Sequence, residues 1–284
     1  MLDDMKQTAV KVSGLTKRYG EVTAVNGLDL EIRRGEVFGI LGPNGAGKST
    51  TVEILEGYRD RDAGEVSVLG VDPARAGREW RSRIGVVLQS SNDIAELTVR
   101  ELVRHFAGYY PRPRDPDEVI DRVGLAEKAN TRVGKLSGGQ RRRVDVALGI
   151  VGRPELLFLD EPTTGFDPEA RRQFWDLIAG LAQDGTTIVL TSHYLDEVEA
   201  LATRLAVIAK GRVVAEGEPA TLGGRASAKA RVSWLEDGAR RSVETDEPTR
   251  TVLELSRRFS GEVPELTIKR PTLEDIYLEL VQEA

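Results

Sequence analysis

Eight consecutive residues near the start of the chain have the types and spacing of a phosphate-binding loop. They follow an apolar run at Val37–Leu41, and in order they are Gly42, Pro43, Asn44, Gly45, Ala46, Gly47, Lys48 and Ser49. Glycines at this spacing let successive backbone N–H groups turn toward one anion, and the helix predicted to follow adds the positive end of its dipole. In such a loop the lysine supplies a positive charge to the outer phosphates, and the hydroxyl group of the next residue ligates Mg²⁺. The pattern therefore predicts a phosphate site, with Thr50 as a further contact.

A pair of acidic residues supplies a second candidate site. Asp160 and Glu161 follow the apolar run 156–159. Two carboxylates at the end of a buried strand are costly unless a cation or a reacting water uses them. Asp160 is the predicted partner of Mg²⁺, and Glu161 is the predicted general base that polarises the attacking water. By itself the pair could equally be a strand-to-loop boundary with solvated acids, but beside a phosphate loop the catalytic interpretation is favoured.

The elements that must hold these residues form an alternating pattern. From residue 1 to about residue 220, short β-like runs alternate with helical patterns, which is typical of an α/β domain. Further β-like runs at 84–88, 187–190 and 204–208 are suited to a parallel sheet. Between residues 91 and 152, apolar residues recur at helical spacing and prolines interrupt them, which predicts a helical subdomain inserted into the sheet domain.

The pattern changes after residue 219. Alternating apolar residues at 230–234 predict a strand, followed by a turn and a second short strand. We then expect a helix over 249–259, a strand over 266–268 and a last helix that a capping pattern at Thr272 begins. The chain is therefore predicted to divide into a domain of residues 1–220 and a small α+β domain of residues 221–284.

Composition excludes several classes of protein. The chain of 284 residues has 40 basic and 46 acidic residues and a net charge of −6, so general binding to nucleic acid is disfavoured. It has no cysteine, which fits a reducing compartment and excludes disulfides and thiolate metal sites. The apolar runs are far shorter than the roughly 20 residues of a membrane-spanning helix, and the first residues do not resemble a secretory signal. We expect a cytoplasmic protein whose membrane role, if any, comes from a partner.

The segment Leu136-Ser137-Gly138-Gly139-Gln140 resembles the signature motif of ABC ATPases. Ser137 and the two glycines would begin a helix whose backbone N–H groups and hydroxyl group form a second anion site. With the phosphate loop and the acid pair, this motif identifies the chain as similar to that family over roughly residues 8 to 220. The resemblance implies a P-loop NTPase core that binds ATP and Mg²⁺.

Four other positions match the family's pattern in order along the chain. Tyr19 resembles the aromatic residue that stacks on adenine, and Gln89 resembles the glutamine that senses Mg²⁺ and water in a loop that touches the membrane subunit. Asp167, in Gly165-Phe166-Asp167-Pro168, resembles the D-loop aspartate, although the family more often has leucine where Phe166 stands. His193 resembles the switch histidine that contacts the γ-phosphate.

The resemblance implies that each nucleotide site is formed by residues of two chains. Ser137 and its neighbours would face the nucleotide of a second copy, so that two chains clamp two ATP molecules head to tail. Closure would pull on a separate transmembrane permease subunit through the loop around residues 89–98, at the inner face of the cell membrane. The alternative is a non-transport ABC ATPase of translation or DNA maintenance. Such proteins usually carry a second cassette, a long coiled-coil insertion or zinc-ligand cysteines, and the sequence has none of these.

The C-terminal segment indicates which subfamily of ABC ATPases the chain resembles. Residues 270–278 resemble the C-terminal segment of drug-exporter ATPase subunits of the daunorubicin-resistance type, where the tail helps association or stabilises the complex. Residues 96–101 also resemble that subfamily. This favours export of a drug-like or hydrophobic cargo, with lipid or polysaccharide as competing cargoes. Structurally, the face formed by Leu273, Ile276, Tyr277 and Leu280 is expected to pack on the tail sheet.

Overall fold

The computed structural model describes residues 7–87 and 95–284. Its strands are β1 Thr8–Tyr19, β2 Val22–Arg33, β3 Val37–Leu41, β4 Ala63–Val68, β5 Ile84–Val87, β6 Leu156–Asp160, β7 Thr187–Thr191, β8 Arg204–Ala209, β9 Arg212–Gly217, β10 Ala230–Glu236, β11 Ala239–Thr245 and β12 Thr267–Lys269. Its α-helices are α1 Lys48–Leu55, α2 Arg78–Arg81, α3 Val99–Ala107, α4 Pro116–Arg122, α5 Gly138–Ile150, α6 Pro168–Gln183, α7 Leu195–Leu201, α8 Pro248–Arg258 and α9 Leu273–Glu283. Short 3₁₀ segments lie at Pro73–Arg75, Ala126–Lys128, Val133–Lys135 and Leu222–Ser227.

A six-stranded sheet in the order β5-β6-β7-β3-β8-β9 forms the centre of the fold. Neighbouring strands among the first five in this order pair in parallel, and β9 joins β8 antiparallel at the edge. Every residue of β3 and of β7 is buried. Parallel strands covered on both faces are expected to be apolar throughout, which is why these runs were recognisable in the sequence.

Alternate residues of the central strands point into two different cores. Leu157 and Leu159 of β6 pack with the helices of 99–150 and with α6, whereas Leu156 and Phe158 pack toward β1, β2 and α1. This division follows from the two-residue period of a strand. The sheet is therefore held rigidly from both faces, and the loops at its carboxyl edge start from fixed points.

A three-stranded antiparallel sheet in the order β2-β1-β4 covers one of these cores. Its strands alternate buried and exposed residues, so each one has a charged outer face and an apolar inner face. No individual strand was predicted before Val37. The predicted helical insertion is present as α3, α4 and α5, and α3 begins with a capping box between Thr98 and Glu101.

The tail contains a small antiparallel sheet in the order β11-β10-β12, with α8 on one face. The expectation that α9 packs on this sheet is wrong. Leu273 instead belongs to the main core, and Tyr277 and Leu280 pack against that core beside β8, β9 and the 3₁₀ segment Leu222–Ser227. The apolar face of the tail sheet is already occupied by α8, so the apolar stripe of α9 packs on the edge of the large domain. The division at residue 220 stays a prediction.

Candidate active site

The loop of residues 42–49 is tightly enclosed by neighbouring backbone. A methyl group at Gly42 would lie 2.2 Å from the carbonyl oxygen of Ile208, and one at Gly47 would lie 2.3 Å from that of Ala24. Gly45 and Gly47 have φ of +78° and +102°, in the left-handed region where side chains are disfavoured. The glycines therefore permit both the turn and its close approach to β2 and β8, and they leave a cradle of backbone before α1.

Lys48 lies inside this cradle with its side chain almost fully buried. Its Nζ donates to the carbonyl oxygens of Gly42, at 2.7 Å, and Pro43, at 3.1 Å. Burial lowers the pKa of Lys48, while the nearby charges of Glu161 and Asp160 raise it. A buried cation whose pKa is lowered despite two carboxylates is suited to a further anion. The donor set thus fits the phosphates of a nucleotide.

Thr191 connects the two acidic residues at the end of β6. Its hydroxyl group donates to Asp160 Oδ1 at 2.5 Å and accepts from the Glu161 N–H at 3.1 Å. The Thr191 carbonyl oxygen also accepts from the Glu161 N–H, at 3.1 Å. Glu161 has φ of +44°, which is uncommon for a residue with a side chain. Strained backbone of this kind persists where the surroundings hold it, and it is concentrated at functional sites.

His193 follows β7 and faces the second acid. Its Nδ1 lies 3.4 Å from Glu161 Oε1, and its ring packs on that of Tyr194 with centroids 4.0 Å apart. The Arg171 guanidinium lies 4.5 Å from the centroid of the same Tyr194 ring. The ends of β3, β6 and β7 thus bring the loop lysine, both acids and this histidine to one edge of the sheet, where parallel α/β sheets bind ligands.

Glu56 adds an unexpected acidic residue with a raised pKa to this region. It follows α1, and its pKa is raised from 4.5 to about 8 by burial first, and then by the negative charges of Asp160 and Glu53. At neutral pH the Glu56 carboxyl group is therefore largely protonated. Nothing in the sequence distinguished this residue from an ordinary surface glutamate on a helix.

The signature motif lies in a different part of the surface. Ser137 caps α5: its Oγ accepts from the Gln140 N–H at 3.2 Å, and Gln140 Oε1 accepts from the Ser137 N–H at 3.1 Å. Residues 137–140 and 165–167 line an open depression of about 400 Å³. Within the described chain, none of the residues lining it belongs to the phosphate loop. One chain thus presents the loop and the signature motif on separate surfaces.

The aromatic residue in the D-loop has a structural explanation. Phe166 packs edge-on against the buried Phe174 of α6, with ring centroids 5.6 Å apart. Asp167 caps α6, because its Oδ1 accepts from the backbone N–H groups of Glu169 and Ala170 at 3.0 and 2.8 Å. The phenylalanine anchors this loop to its own chain and leaves the aspartate at the helix start.

The remaining predicted residues are less closely tied to the acids. Tyr19 ends β1 and is 42% exposed, with the Arg59 guanidinium 5.4 Å and the Lys17 ammonium 5.7 Å from its ring centroid. Ser49, which is exposed, and Thr50 lie in the first turn of α1. Gln89 lies outside the described residues.

Two residues near the acids were missed in the sequence. Thr191 could have been found as the polar residue that ends a buried run beside β6. Arg142 had no such signal: it is buried within α5, and it contacts the backbone at Asp160 and Pro162, which lie far along the chain. A residue between two other arginines gives no indication that it alone points inward.

Comparison with known proteins identifies the family. The family model for ABC transporters matches residues 25–164. The chain is 37% identical to the daunorubicin resistance ATP-binding protein DrrA3 of Streptomyces coeruleorubidus, over 97% of this chain and 96% of that relative. It is 44% identical to the Nod factor export ATP-binding protein I of Rhizobium sp. (strain N33), over 77% of this chain and 73% of that relative.

A solved structure supports the same assignment. An ATP-binding cassette in a dimeric, post-hydrolysis state with ADP and Pi superposes with a TM-score of 0.66 and 28% identity, over 74% of this chain and 98% of that chain. The predicted P-loop NTPase fold of the ABC type and the resemblance to daunorubicin-resistance ATPases are confirmed. These relatives give no support to the alternative of a role in translation or DNA maintenance. The chain belongs to the ATP-binding subunits of ABC transporters, and it is an ATPase related to those of drug-resistance exporters.

Proposed function

We propose that the chain hydrolyses ATP within a closed homodimer and so drives a separate membrane-spanning subunit that exports a drug-like or hydrophobic cargo. The observation that carries the proposal is the meeting of Lys48, Asp160, Glu161 and His193 at one edge of the sheet, while the signature motif faces another surface. The first group is suited to cleaving a phosphate bond, and the second is suited to gripping another chain's nucleotide.

Three of these residues have distinct proposed roles in the reaction itself, and the fourth, Asp160, is proposed to bind the metal. Lys48 holds the outer phosphates, and Glu161 accepts a proton from the attacking water as general base. The water oxygen forms a bond to the γ-phosphorus while the bond from that phosphorus to the β–γ bridging oxygen breaks. His193 keeps the Glu161 carboxylate oriented from 3.4 Å away and contacts the γ-phosphate.

Magnesium is the proposed metal, because the available donors are hydroxyl and carboxylate oxygens. When bound, it neutralises the charge that develops on the phosphate oxygens. Ser49 and Asp160 would hold it, with Gln89 as the third predicted ligand. Thr191 Oγ1 donates to Asp160 Oδ1 and so fixes the direction in which this carboxylate presents its other oxygen.

The signature motif completes the site of a second copy. Ser137, Gly138, Gly139 and Gln140 would grip the γ-phosphate bound to the other chain, with Asp167 beside them in the same depression. The Ser137 hydroxyl group and the backbone N–H groups at the start of α5, a helix of 13 residues, form the anion site. Tyr19 would stack on the adenine of the chain's own nucleotide.

The membrane partner is also part of the proposal. Within residues 7–87 and 95–284, no helix combines the length and apolarity needed to cross a bilayer. We place the chain in the cytoplasm, at the inner face of the cell membrane, attached through a permease subunit that contacts the segment around residues 89–98. The division into domains 1–220 and 221–284 is retained as a proposal, with α9 docked on the first.

Export is the direction that the relatives favour. One relative is named for daunorubicin resistance and another for Nod factor export. For this chain we propose a drug-like or hydrophobic cargo. The cargo path would lie in the permease, since the site described above is built for a nucleotide.

The catalytic assignment is tested with Glu161→Gln. This variant is expected to bind ATP normally, to lose roughly 10²- to 10⁴-fold in turnover and to accumulate as an ATP-bound dimer in light scattering. Lys48→Ala should weaken ATP binding, and Glu65→Gln, an exposed change of the same type on β4, should change neither property. Full turnover by Glu161→Gln would refute the assigned base.

The transport assignment needs a separate measurement. Purification of the chain from gently solubilised membranes should recover a subunit with several membrane-spanning helices. The pair, reconstituted into vesicles, should move a hydrophobic dye in an ATP-dependent way, and the Glu161→Gln pair should not. Recovery with ribosomes or DNA and without a membrane subunit would contradict the proposal.

A further inference from the structure

Arg142 is a buried arginine on the helix that the signature motif begins. It lies in α5 with a relative exposure of 7%. Its Nη2 donates to the carbonyl oxygen of Asp160 at 2.8 Å, and its Nε donates to the carbonyl oxygen of Pro162 at 3.0 Å. These two carbonyl groups lie on either side of Glu161. One guanidinium therefore holds the backbone both before and after the proposed base.

The backbone between these two carbonyl groups is strained. The φ of Glu161, +44°, lies in the left-handed region, which a residue with a side chain rarely occupies unless its neighbours hold it there. Thr191 holds the Glu161 N–H from the side of β7. From the side of α5, Arg142 holds the carbonyl oxygen of the Asp160–Glu161 peptide group and that of the Pro162–Thr163 peptide group. Since the backbone dihedral sets the direction of the Cα–Cβ bond, these contacts together aim the carboxylate.

The chemistry of the guanidinium suits this task. Burial lowers the pKa of Arg142, whereas the charges of Asp145, Asp160 and Glu197 raise it, and Arg142 Nη1 lies 3.8 Å from Asp145 Oδ2 one turn further along α5. A guanidinium stays charged in such a place and presents donors in a rigid, planar fork. A lysine would carry the same charge, but its single ammonium nitrogen cannot donate to both carbonyl oxygens with the geometry of a guanidinium.

We propose that Arg142 is a positioning residue for hydrolysis, which fixes the orientation of Glu161 by holding the carbonyl groups of Asp160 and Pro162. The proposal rests on the role of Glu161 proposed above. It predicts that loss of the fork lowers the chemical rate and leaves ATP binding nearly intact, because the two carbonyl oxygens that Arg142 holds belong to the backbone around the base.

A double-mutant cycle tests the proposal. Arg142→Gln should lower kcat about 10- to 100-fold with KM changed less than about threefold, and Arg142→Lys should recover only part of the loss. In the Glu161→Gln background, Arg142→Gln should change the residual turnover little. Arg142 is proposed to act by orienting the base, and this background no longer has a base to orient. Arg172→Gln, an exposed arginine on α6, is the matched control and should leave kcat unchanged.

The outcomes separate the two proposals. If Glu161→Gln keeps full turnover, the assignment of the base fails, whatever Arg142 does. If Glu161→Gln is inactive as expected, three results overturn the positioning role: an unchanged kcat in Arg142→Gln, an equal loss in both backgrounds, or a loss confined to KM and the melting temperature. Should Arg142→Gln fail to fold, the same cycle with Arg142→Lys decides between these outcomes.

Discussion

Replacement of Glu56 by glutamine should make the stability of the protein fall less as the pH rises from about 4.5 to about 8. Burial and the charges of Asp160 and Glu53 raise the pKa of Glu56 in the folded chain to about 8 from 4.5. Below pH 4.5 the carboxyl group is protonated in both the folded and the unfolded chain. Between pH 4.5 and 8 the unfolded chain releases the proton and the folded chain keeps it, so stability falls as pH rises.

The size of this effect follows from proton linkage. Each pH unit within this window lowers the free energy of unfolding by about 1.4 kcal/mol, so the wild-type chain loses about 3 kcal/mol by pH 7 and about 5 kcal/mol above pH 8. Glutamine is neutral at every pH and has the shape of the protonated side chain. The stability of Glu56→Gln relative to wild type should therefore rise by these amounts from pH 4.5 to pH 8.

Urea denaturation without nucleotide, followed by tryptophan fluorescence at pH 5, 6, 7 and 8, measures this difference. Groups that titrate in the same way in both proteins do not contribute to the difference in their free energies of unfolding. As a control, Glu65→Gln, at an exposed position on β4, should have the stability of the wild type at every pH. A stability difference between Glu56→Gln and wild type that is the same at pH 5 and pH 8 would refute the reasoning.

Three further substitutions test other parts of the site and its support. Thr191→Val removes the hydroxyl group that connects the two acidic residues; loss of about 1.5–3 kcal/mol of charge-assisted hydrogen bonding should lower kcat about 10- to 100-fold in an ATPase assay, and an unchanged kcat would contradict its role. Gly42→Ala places a methyl group 2.2 Å from the Ile208 carbonyl oxygen, so calorimetry should show ATP affinity reduced at least about tenfold. Hydrogen bonds, chiefly from Arg83, hold the pKa of Glu155 at about 2, so Glu155 contributes stability above pH 4.5 that is lost as the pH falls toward 2. Because Glu155 is partly exposed, Glu155→Gln should lower the free energy of unfolding at pH 7 by only about 1 kcal/mol. Thermal unfolding measures this loss, and no difference from the wild type is expected near pH 2.

The parts of the site predicted from the sequence are those that a short segment specifies by itself. The loop between Gly42 and Ser49 needs glycines where φ is positive or where neighbouring backbone approaches, and those needs leave a spacing that can be recognised. Strand β6 is buried on both faces, so its apolar run and the acids at its end stand out. The capping boxes at Ser137 and Thr272 are likewise contacts between residues three positions apart.

The parts that were missed depend on contacts between distant segments. The Thr191 hydroxyl group meets an acid 31 residues away in sequence, and Arg142 meets backbone 18 and 20 residues away. The strands of the β2-β1-β4 sheet are half-buried and carry many charges, so their two-residue pattern is weak until the sheet is assembled. Helix α9 was recognised as amphipathic. An amphipathic pattern does not indicate whether the apolar side packs on the tail sheet or on the edge of the large domain.

Three features of the site reduce the stability of the chain when no nucleotide is bound. Lys48 is buried with a lowered pKa, Glu56 is partly buried with a raised pKa, and Glu161 occupies the left-handed region. Bound phosphates would place negative charge beside Lys48, and a metal ion beside Asp160 would weaken the repulsion that acts on Glu56. These features therefore destabilise the folded chain without ligand, and bound nucleotide and metal would reduce that destabilisation. Because a ligand that binds only the folded state stabilises it, the part of the fold that nucleotide should strengthen most is the edge of the sheet where the chemistry takes place.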